Sequence, residues 1–161
     1  MKYQYKSQGF KNDFYGKNQF KLTAVHLICI INVLIFLLFS SPPINFGVNP
    51  NPIHFKSWQL ITYMFIHGGD YGVLHIGFNM YVLWIFGSHI ESIWGFKKFI
   101  TYYFLTGIFS GVCIYFFSIS SLPTIGASGA IFSIVAAYAY IYPNRMISFW
   151  FIPVQARTII L

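Results

Sequence analysis

The sequence Gly126-Ala127-Ser128-Gly129-Ala130 opens the apolar stretch at residues 125–142. Small residues surround a single hydroxyl there, at a position where a helix is expected to begin. Small residues let two helices approach closely inside a membrane, so packing alone accounts for such a pattern. A hydroxyl held at the start of a helix is also a candidate nucleophile, and both interpretations of Ser128 stay open at this point.

The composition indicates an integral membrane protein. Of the 161 residues, 57% are hydrophobic, 22% are aromatic and only 8% are charged, whereas soluble proteins average roughly 25% charged residues. Cys29 and Cys113 lie inside apolar stretches, where a thiol behaves as a small hydrophobic group, so no disulfide framework is predicted.

Four apolar stretches have the length of membrane spans. At 1.5 Å per residue the first of them extends about 27 Å, close to the ~30 Å hydrocarbon thickness of a bilayer. A signal peptide is the alternative for this stretch, but no small-x-small cleavage site follows it. The sequence therefore predicts an all-α integral membrane protein, a helical bundle of four transmembrane spans at residues 22–39, 73–90, 99–119 and 125–142.

The segments between and after the spans carry weaker patterns. Residues 41–72 are loop-like but rich in aromatic side chains, which favours an interfacial position at the lipid headgroups. Trp58, Tyr63, Phe65 and His67 are the side chains that suggest it. The segment at residues 146–161 is interrupted by proline and arginine, and its last four residues are expected to start a helix.

The basic residues predict the orientation. Lys and Arg total 10 against 3 acidic residues, an excess that suits nucleic acid, anionic lipid or topology signals. Its distribution favours topology, because a cytoplasmic amino terminus leaves only Lys56 on the outside. Residues 1–21 are interpreted as a basic cytoplasmic tail and residues 22–161 as the transmembrane domain, and no nucleic-acid partner is expected.

Two polar side chains lie within the second predicted span. His75 and Asn79 are four residues apart, so they share one face of a helix. Polar groups at this depth are costly unless they find partners, so both are expected to point into the bundle or a wet cavity. They are suited to hydrogen bonds between helices, to lining the path of a small transporter or channel, or to catalysis.

A series of motifs in a fixed order resembles the rhomboid family of intramembrane serine proteases. The series is Trp58-Gln59, His67, His75-x-x-x-Asn79, Glu91, Gly107-x-x-x-Gly111 and Gly126-Ala127-Ser128-Gly129. The resemblance implies that Ser128 is the nucleophile, and that His75, Asn79 and the Ser128 backbone N–H stabilise the oxyanion. It also makes Glu91 a structural glutamate. Gln59 departs from the Trp-Arg motif of the family, which puts any charge-assisted contact of that arginine in doubt.

The general base of such a protease is not found in these residues. All 5 histidines precede Ser128, whereas the resemblance places the base histidine on a sixth span. An unassisted serine hydroxyl is a poor nucleophile at neutral pH, so a base is required. A small-residue face of the fourth span also suggests a missing helical partner, formed by Gly129, Ser133, Ala136 and Ala137. The chain is therefore expected to be an amino-terminal part of a rhomboid protease that lacks the last two spans.

The predicted reaction is hydrolysis of a peptide bond in transmembrane protein substrates within the lipid bilayer. Neither a cofactor nor a metal is expected to take part. A non-catalytic rhomboid-like protein that binds transmembrane helices is the alternative function. The expected location is a membrane that the chain crosses several times, the plasma membrane if the protein is bacterial.

Overall fold

The computed structural model describes residues 22–39, 43–68, 72–149 and 152–159. The predicted basic tail at residues 1–21 lies outside this described part. The described residues are mostly helical. The helices are α1 (Ala24–Leu38), α2 (Gln59–Thr62), α3 (Gly72–Val82), α4 (Ser88–Trp94), α5 (Phe96–Phe117) and α6 (Ser128–Ile141).

Two helical stretches within the described residues are long and apolar enough to cross a membrane. One is Gly72–Trp94, which joins α3 and α4, and the other is α5. The helices α1 and α6 are apolar but shorter. The predicted helical character is thus confirmed at all four stretches, whereas the count of four membrane spans stays a prediction.

The long helix Gly72–Trp94 contains one wide turn. Residues Leu83–Gly87 adopt a π-helical turn between α3 and α4, in which one additional residue is accommodated within the helix. A Cβ atom at Gly87 would lie 3.0 Å from a methyl group of Val25 and 3.2 Å from the Phe99 ring. The small residue at the end of the wide turn therefore lets α1 and α5 pack closely against it.

A carboxylate from α4 caps the amino-terminal end of α1. The two oxygens of Glu91 accept hydrogen bonds from the backbone N–H groups of Ala24, at 2.7 Å, and Val25, at 2.9 Å. The first N–H groups of a helix have no partner within the helix and carry its positive dipole end, so a carboxylate suits this position. Glu91 is only 8% exposed and ties the start of α1 to α4.

Helix α6 lies in the centre of the bundle. It packs against α5 on one side and against the α3–α4 helix on the other. Its buried side chains include Ile134, Val135 and Tyr138, and the Phe86 ring meets the Tyr138 ring edge to face at 5.0 Å between centroids. Large apolar side chains on the outside of α5, such as Phe109 and Phe116, are exposed, which is the pattern expected of a lipid-facing surface.

The end of the segment at residues 43–68 is deeply buried, although much of the earlier part is exposed. Tyr63 and Met64 are fully buried, and the Tyr63 hydroxyl donates a hydrogen bond to the Gly107 carbonyl at 2.7 Å. A Cβ atom at Gly107 would collide with the Met64 thioether, and one at Gly111 would lie 3.1 Å from Leu60. Tyr63 is thus buried in the protein and not exposed to lipid headgroups, because the glycine pair of α5 receives α2 and the following turn. The interfacial depth of the segment stays a prediction.

The carboxyl-terminal segment corrects the prediction of an all-α protein. Strands β1 (Met146–Phe149) and β2 (Ile152–Gln155) form an antiparallel pair. A 3₁₀ turn occupies Ala156–Ile159, and the end of the expected helix start, residues 160–161, lies outside the described residues. Backbone hydrogen bonds from Ala156 N–H to the Arg145 carbonyl and from Arg157 N–H to the Pro143 carbonyl return the chain to the end of α6. Pro153 removes one N–H and opposes a continuous helix, but a two-stranded pair tolerates it.

Candidate functional site

The segment that precedes Ser128, the serine loop at residues 124–127, is held by three successive contacts. Thr124 and Val48 exchange two backbone hydrogen bonds of 2.9 Å. Next, the Gly126 N–H donates to the Tyr63 carbonyl at 2.8 Å. The Ala127 N–H then donates to Nε2 of His67 at 3.3 Å. These contacts hold the residues before Ser128 outside the helix, so α6 begins at Ser128 and not at the start of the predicted span.

Ser128 is the first residue of α6 and is partly buried. The first hydrogen bond of the helix runs from the Ile131 N–H to the Ala127 carbonyl, at 3.1 Å. The N–H groups of the residues from Ser128 to Ala130 thus have no partner within the helix, and they carry its positive dipole end. Negative charge developing beside Ser128 would be stabilised there.

His75 lies directly against the serine loop. Gly126 has a φ angle of +117°, a conformation that favours glycine. A Cβ atom on Gly126 would lie 2.8 Å from Nε2 of His75 and 2.9 Å from its Cε1. The His75 imidazole therefore lies against Gly126, which is two residues before Ser128 in the chain.

Asn79 is on the buried side of α3, one turn after His75. It is 4% exposed, and its Nδ2 atom has no hydrogen-bond partner among the described residues. An amide donor buried in this way costs about 1–3 kcal/mol. An acceptor for this nitrogen is therefore expected outside the described residues, and an oxyanion is one candidate.

His67 is the residue of the site that the sequence did not single out for a role. It is 4% exposed, and its ring lies 5.0 Å from the His75 ring in an edge-to-face arrangement. Burial, and secondarily the neighbouring His75, lower the pKa of His67 to about 4. The imidazole is therefore neutral at pH 7, and its Nε2 atom is able to accept the Ala127 hydrogen bond. Its place in the motif series was the signal available.

Two other histidines within the described ranges, His54 and His89, make no hydrogen bond or ring contact with the serine loop. His54 is exposed in the segment before α2. His89 bonds through Nδ1 to the Ile85 carbonyl at 2.7 Å and meets the Tyr138 ring. The Ser128 hydroxyl makes no hydrogen bond to a described residue. Nor do these residues contain a cluster of His, Cys, Asp and Glu side chains that could hold a metal ion.

Gln59 closes the loop that precedes α2. Its Oε1 atom accepts hydrogen bonds from the backbone of Asn49 and Lys56, and its Nε2 atom donates to the carbonyls of Asn45 and His54. The amide is 3% exposed, so its hydrogen bonds replace those lost to water on burial. A neutral side chain is thus sufficient to organise this loop, at the position where the Trp-Arg motif has arginine.

Part of the small-residue face of α6 has a partner, so the prediction of an unfilled face is wrong at Gly129. Ala136 and Ala137 of the same face are half-buried. A Cβ atom at Gly129 would collide with the Ser110 hydroxyl and lie 2.7 Å from the Ser110 Cβ. The Tyr102 hydroxyl donates to the Ser133 carbonyl at 3.0 Å. Helix α5 therefore covers the side of α6 that carries Gly129 and Ser133, and Ala137 packs on the core.

Exchange of Gly129 for alanine tests this contact between α5 and α6. We expect Gly129→Ala to lower the free energy of unfolding by about 1–3 kcal/mol, because the added methyl group overpacks the contact with Ser110. Gly77→Ala is the matched control, since a Cβ there meets nothing within 4 Å. The control should gain up to about 1 kcal/mol from helix propensity. Denaturation in mixed lipid and detergent micelles measures both, and equal effects of the two exchanges would contradict the contact.

Comparisons with known proteins identify relatives of this chain. The model of the Rhomboid domain matches residues 54–161, which is more than half of the chain. The rhomboid protease GluP of Bacillus subtilis is 29% identical over 131 residues, covering 75% of this chain and 25% of its own length. The human presenilin-associated rhomboid-like protein, mitochondrial, is 32% identical over 140 residues, covering 81% of this chain and 36% of its own length. No solved structure matches significantly.

Proposed function

Because the chain belongs to the rhomboid family, we propose that it carries the nucleophile of an intramembrane serine protease and that Ser128 attacks the peptide bond. The contact of the His75 imidazole with Gly126 carries this proposal. This contact puts a side-chain donor beside the amino-terminal end of α6, which begins at Ser128. Without the glycine, the imidazole and the serine loop would not fit together.

The oxyanion site combines three donors. The Ser128 backbone N–H lies at the positive end of α6, His75 lies against the preceding loop, and Asn79 presents a buried amide nitrogen that lacks a described partner. Preorganised donors of this kind contribute about 2.7–4 kcal/mol each to transition-state stabilisation. The unpaired Asn79 nitrogen is explained in this proposal by a substrate oxygen that arrives only during the reaction.

The chemistry requires a general base for the Ser128 hydroxyl. The hydroxyl oxygen bonds to the scissile carbonyl carbon and its proton passes to the base, which then protonates the leaving amine. Water hydrolyses the acyl-enzyme in the second half of the reaction. With His75 assigned to the oxyanion, we propose that the base is a histidine outside these 161 residues. The chain spans a quarter to a little over a third of the length of the relatives named above.

The substrates proposed for this site are transmembrane proteins, cleaved within the bilayer. With the amino terminus in the cytoplasm and four spans, the serine loop faces the outer side, as the distribution of basic residues favours. The membrane is the plasma membrane if the protein is bacterial. Neither a metal nor a cofactor enters the proposed reaction.

Covalent labelling of the complete gene product tests the nucleophile. In lipid, a fluorophosphonate should form an adduct on Ser128, because the probe reacts with an activated serine and mimics the tetrahedral intermediate. Mass spectrometry of the digested protein identifies the labelled residue. Ser133 on the same helix is the internal control, since its hydroxyl is bonded to the Ala130 carbonyl. A protein that captures transmembrane helices but shows no adduct would instead be a non-catalytic binding protein.

A further inference from the structure

We propose that His67 is a positioning residue that orients both Ser128 and His75. The inference rests on the proposed function, because it assigns these two residues to the nucleophile and the oxyanion site. His67 itself lies in the turn between α2 and α3, on neither of the helices that carry them.

The first contact of His67 reaches Ser128 through one peptide group. Nε2 of His67 accepts the Ala127 N–H at 3.3 Å, and Ala127 is the residue that leads into α6. The plane of a peptide is rigid, so the orientation of the Ala127 amide restricts where α6 begins. Together with the Gly126 bond to the Tyr63 carbonyl, this contact fixes two consecutive N–H groups immediately before Ser128.

The second contact of His67 restrains the oxyanion side. Its ring meets the His75 ring edge to face, with 5.0 Å between centroids. Gly126 lies against Nε2 and Cε1 of the His75 ring. The His75 imidazole therefore contacts both His67 and the serine loop, and His67 links the two groups that must act on one substrate carbonyl.

The hydrogen-bonding state of His67 follows from this geometry. An imidazole nitrogen that accepts an N–H bond carries no proton, so the proton of the neutral ring is on Nδ1. Nδ1 is buried, and the backbone of Phe65 interacts with the imidazole.

Nuclear magnetic resonance of the ¹⁵N-labelled protein in detergent tests the orientation without reference to activity. We expect the Nδ1-protonated tautomer of His67 at pH 7. We also expect the Ser128 amide resonance to move in His67→Leu and to return in His67→Gln, whose Oε1 atom is placed to replace the Nε2 acceptor. The His54→Leu control removes an exposed histidine and should leave this resonance in place. Two results would overturn the proposal: the Nε2-protonated tautomer of His67, or a Ser128 amide resonance that is unchanged in His67→Leu.

The rate of fluorophosphonate labelling supplies the functional readout. His67→Leu should slow the labelling of Ser128 by about tenfold or more, since small displacements of reacting groups have effects of this size or larger. His67→Gln should restore most of the rate. Equal rates in the leucine variant and the unchanged protein would also overturn the positioning role. If the unchanged protein is not labelled, the proposed nucleophile fails, while the tautomer and the Ser128 resonance still decide the role of His67.

If His67→Leu does not fold, the tautomer in the unchanged protein and the His67→Gln variant decide the question. The His67→Gln variant keeps an acceptor, so its Ser128 resonance should stay near that of the unchanged protein. A folded glutamine variant with a large shift of this resonance would count against the proposal.

Discussion

Changing Ser128 to alanine is expected to abolish cleavage of a transmembrane substrate by the complete gene product. Removal of the nucleophile from a serine protease lowers kcat by roughly 10⁶-fold, because the remaining groups stabilise charge but form no acyl-enzyme. The side chain makes no hydrogen bond to a described residue, so its loss should leave the fold intact. Cleavage of a fluorescent substrate reconstituted in the same vesicles measures the effect.

The matched control for this variant is Ser133→Ala. Ser133 lies on the same helix, and its hydroxyl bonds only locally to the Ala130 carbonyl. We expect cleavage to persist in this control, with at most a small change in stability. Cleavage that survives in Ser128→Ala, or that disappears equally in both variants, would refute the assignment of Ser128.

Changing Glu91 to alanine is expected to lower the free energy of unfolding by about 3 kcal/mol or more. The exchange removes two charge-assisted hydrogen bonds to the start of α1, each contributing about 1.5–3 kcal/mol. It also leaves the Ala24 and Val25 N–H groups buried without an acceptor, at the positive end of the helix dipole. Unfolding by sodium dodecyl sulfate in lipid micelles, followed by circular dichroism, measures the loss.

Glu91→Gln separates the hydrogen bonds from the charge. The glutamine oxygen can accept one of the two N–H groups, but its amide nitrogen cannot accept the other. We therefore expect a loss of about half that of the alanine variant. An alanine variant as stable as the unchanged protein would show that the carboxylate does not hold α1.

The helices were predictable because long apolar stretches with few charged residues are a strong signal in a sequence. The first and fourth predicted spans differ from α1 and α6 mainly at their ends, where a particular contact decides the boundary. At the start of α6 this contact is the Val48–Thr124 bridge. It joins residues far apart in the chain, so no local pattern could indicate it. The carboxyl-terminal hairpin was missed for a similar reason, since it depends on contacts with the end of α6.

Individual residues of the site were predictable from the sequence, but the contacts that bring them together were less so. The spacing of His75 and Asn79 indicates a shared helix face, and Gly126 marks the loop before Ser128. The burial of Tyr63 and His67 was not predictable, because aromatic residues in a loop also suit the membrane interface. Tyr63 becomes buried because Gly107 and Gly111 make room for α2 and the turn after it. The Tyr63 carbonyl and the His67 imidazole then accept hydrogen bonds from the serine loop.

The wide turn at Leu83–Gly87 has a geometric consequence for the two ends of its helix. In a regular α-helix, the twelve steps from Asn79 to Glu91 would rotate these side chains about 120° apart. A π-helical turn takes up one residue without that rotation, which reduces the angle to about 20°. Both residues then face the interior, where they are 4% and 8% exposed. The π-helical turn therefore places Asn79, the proposed oxyanion donor, and Glu91, which caps α1, on the same inward-facing side of the helix.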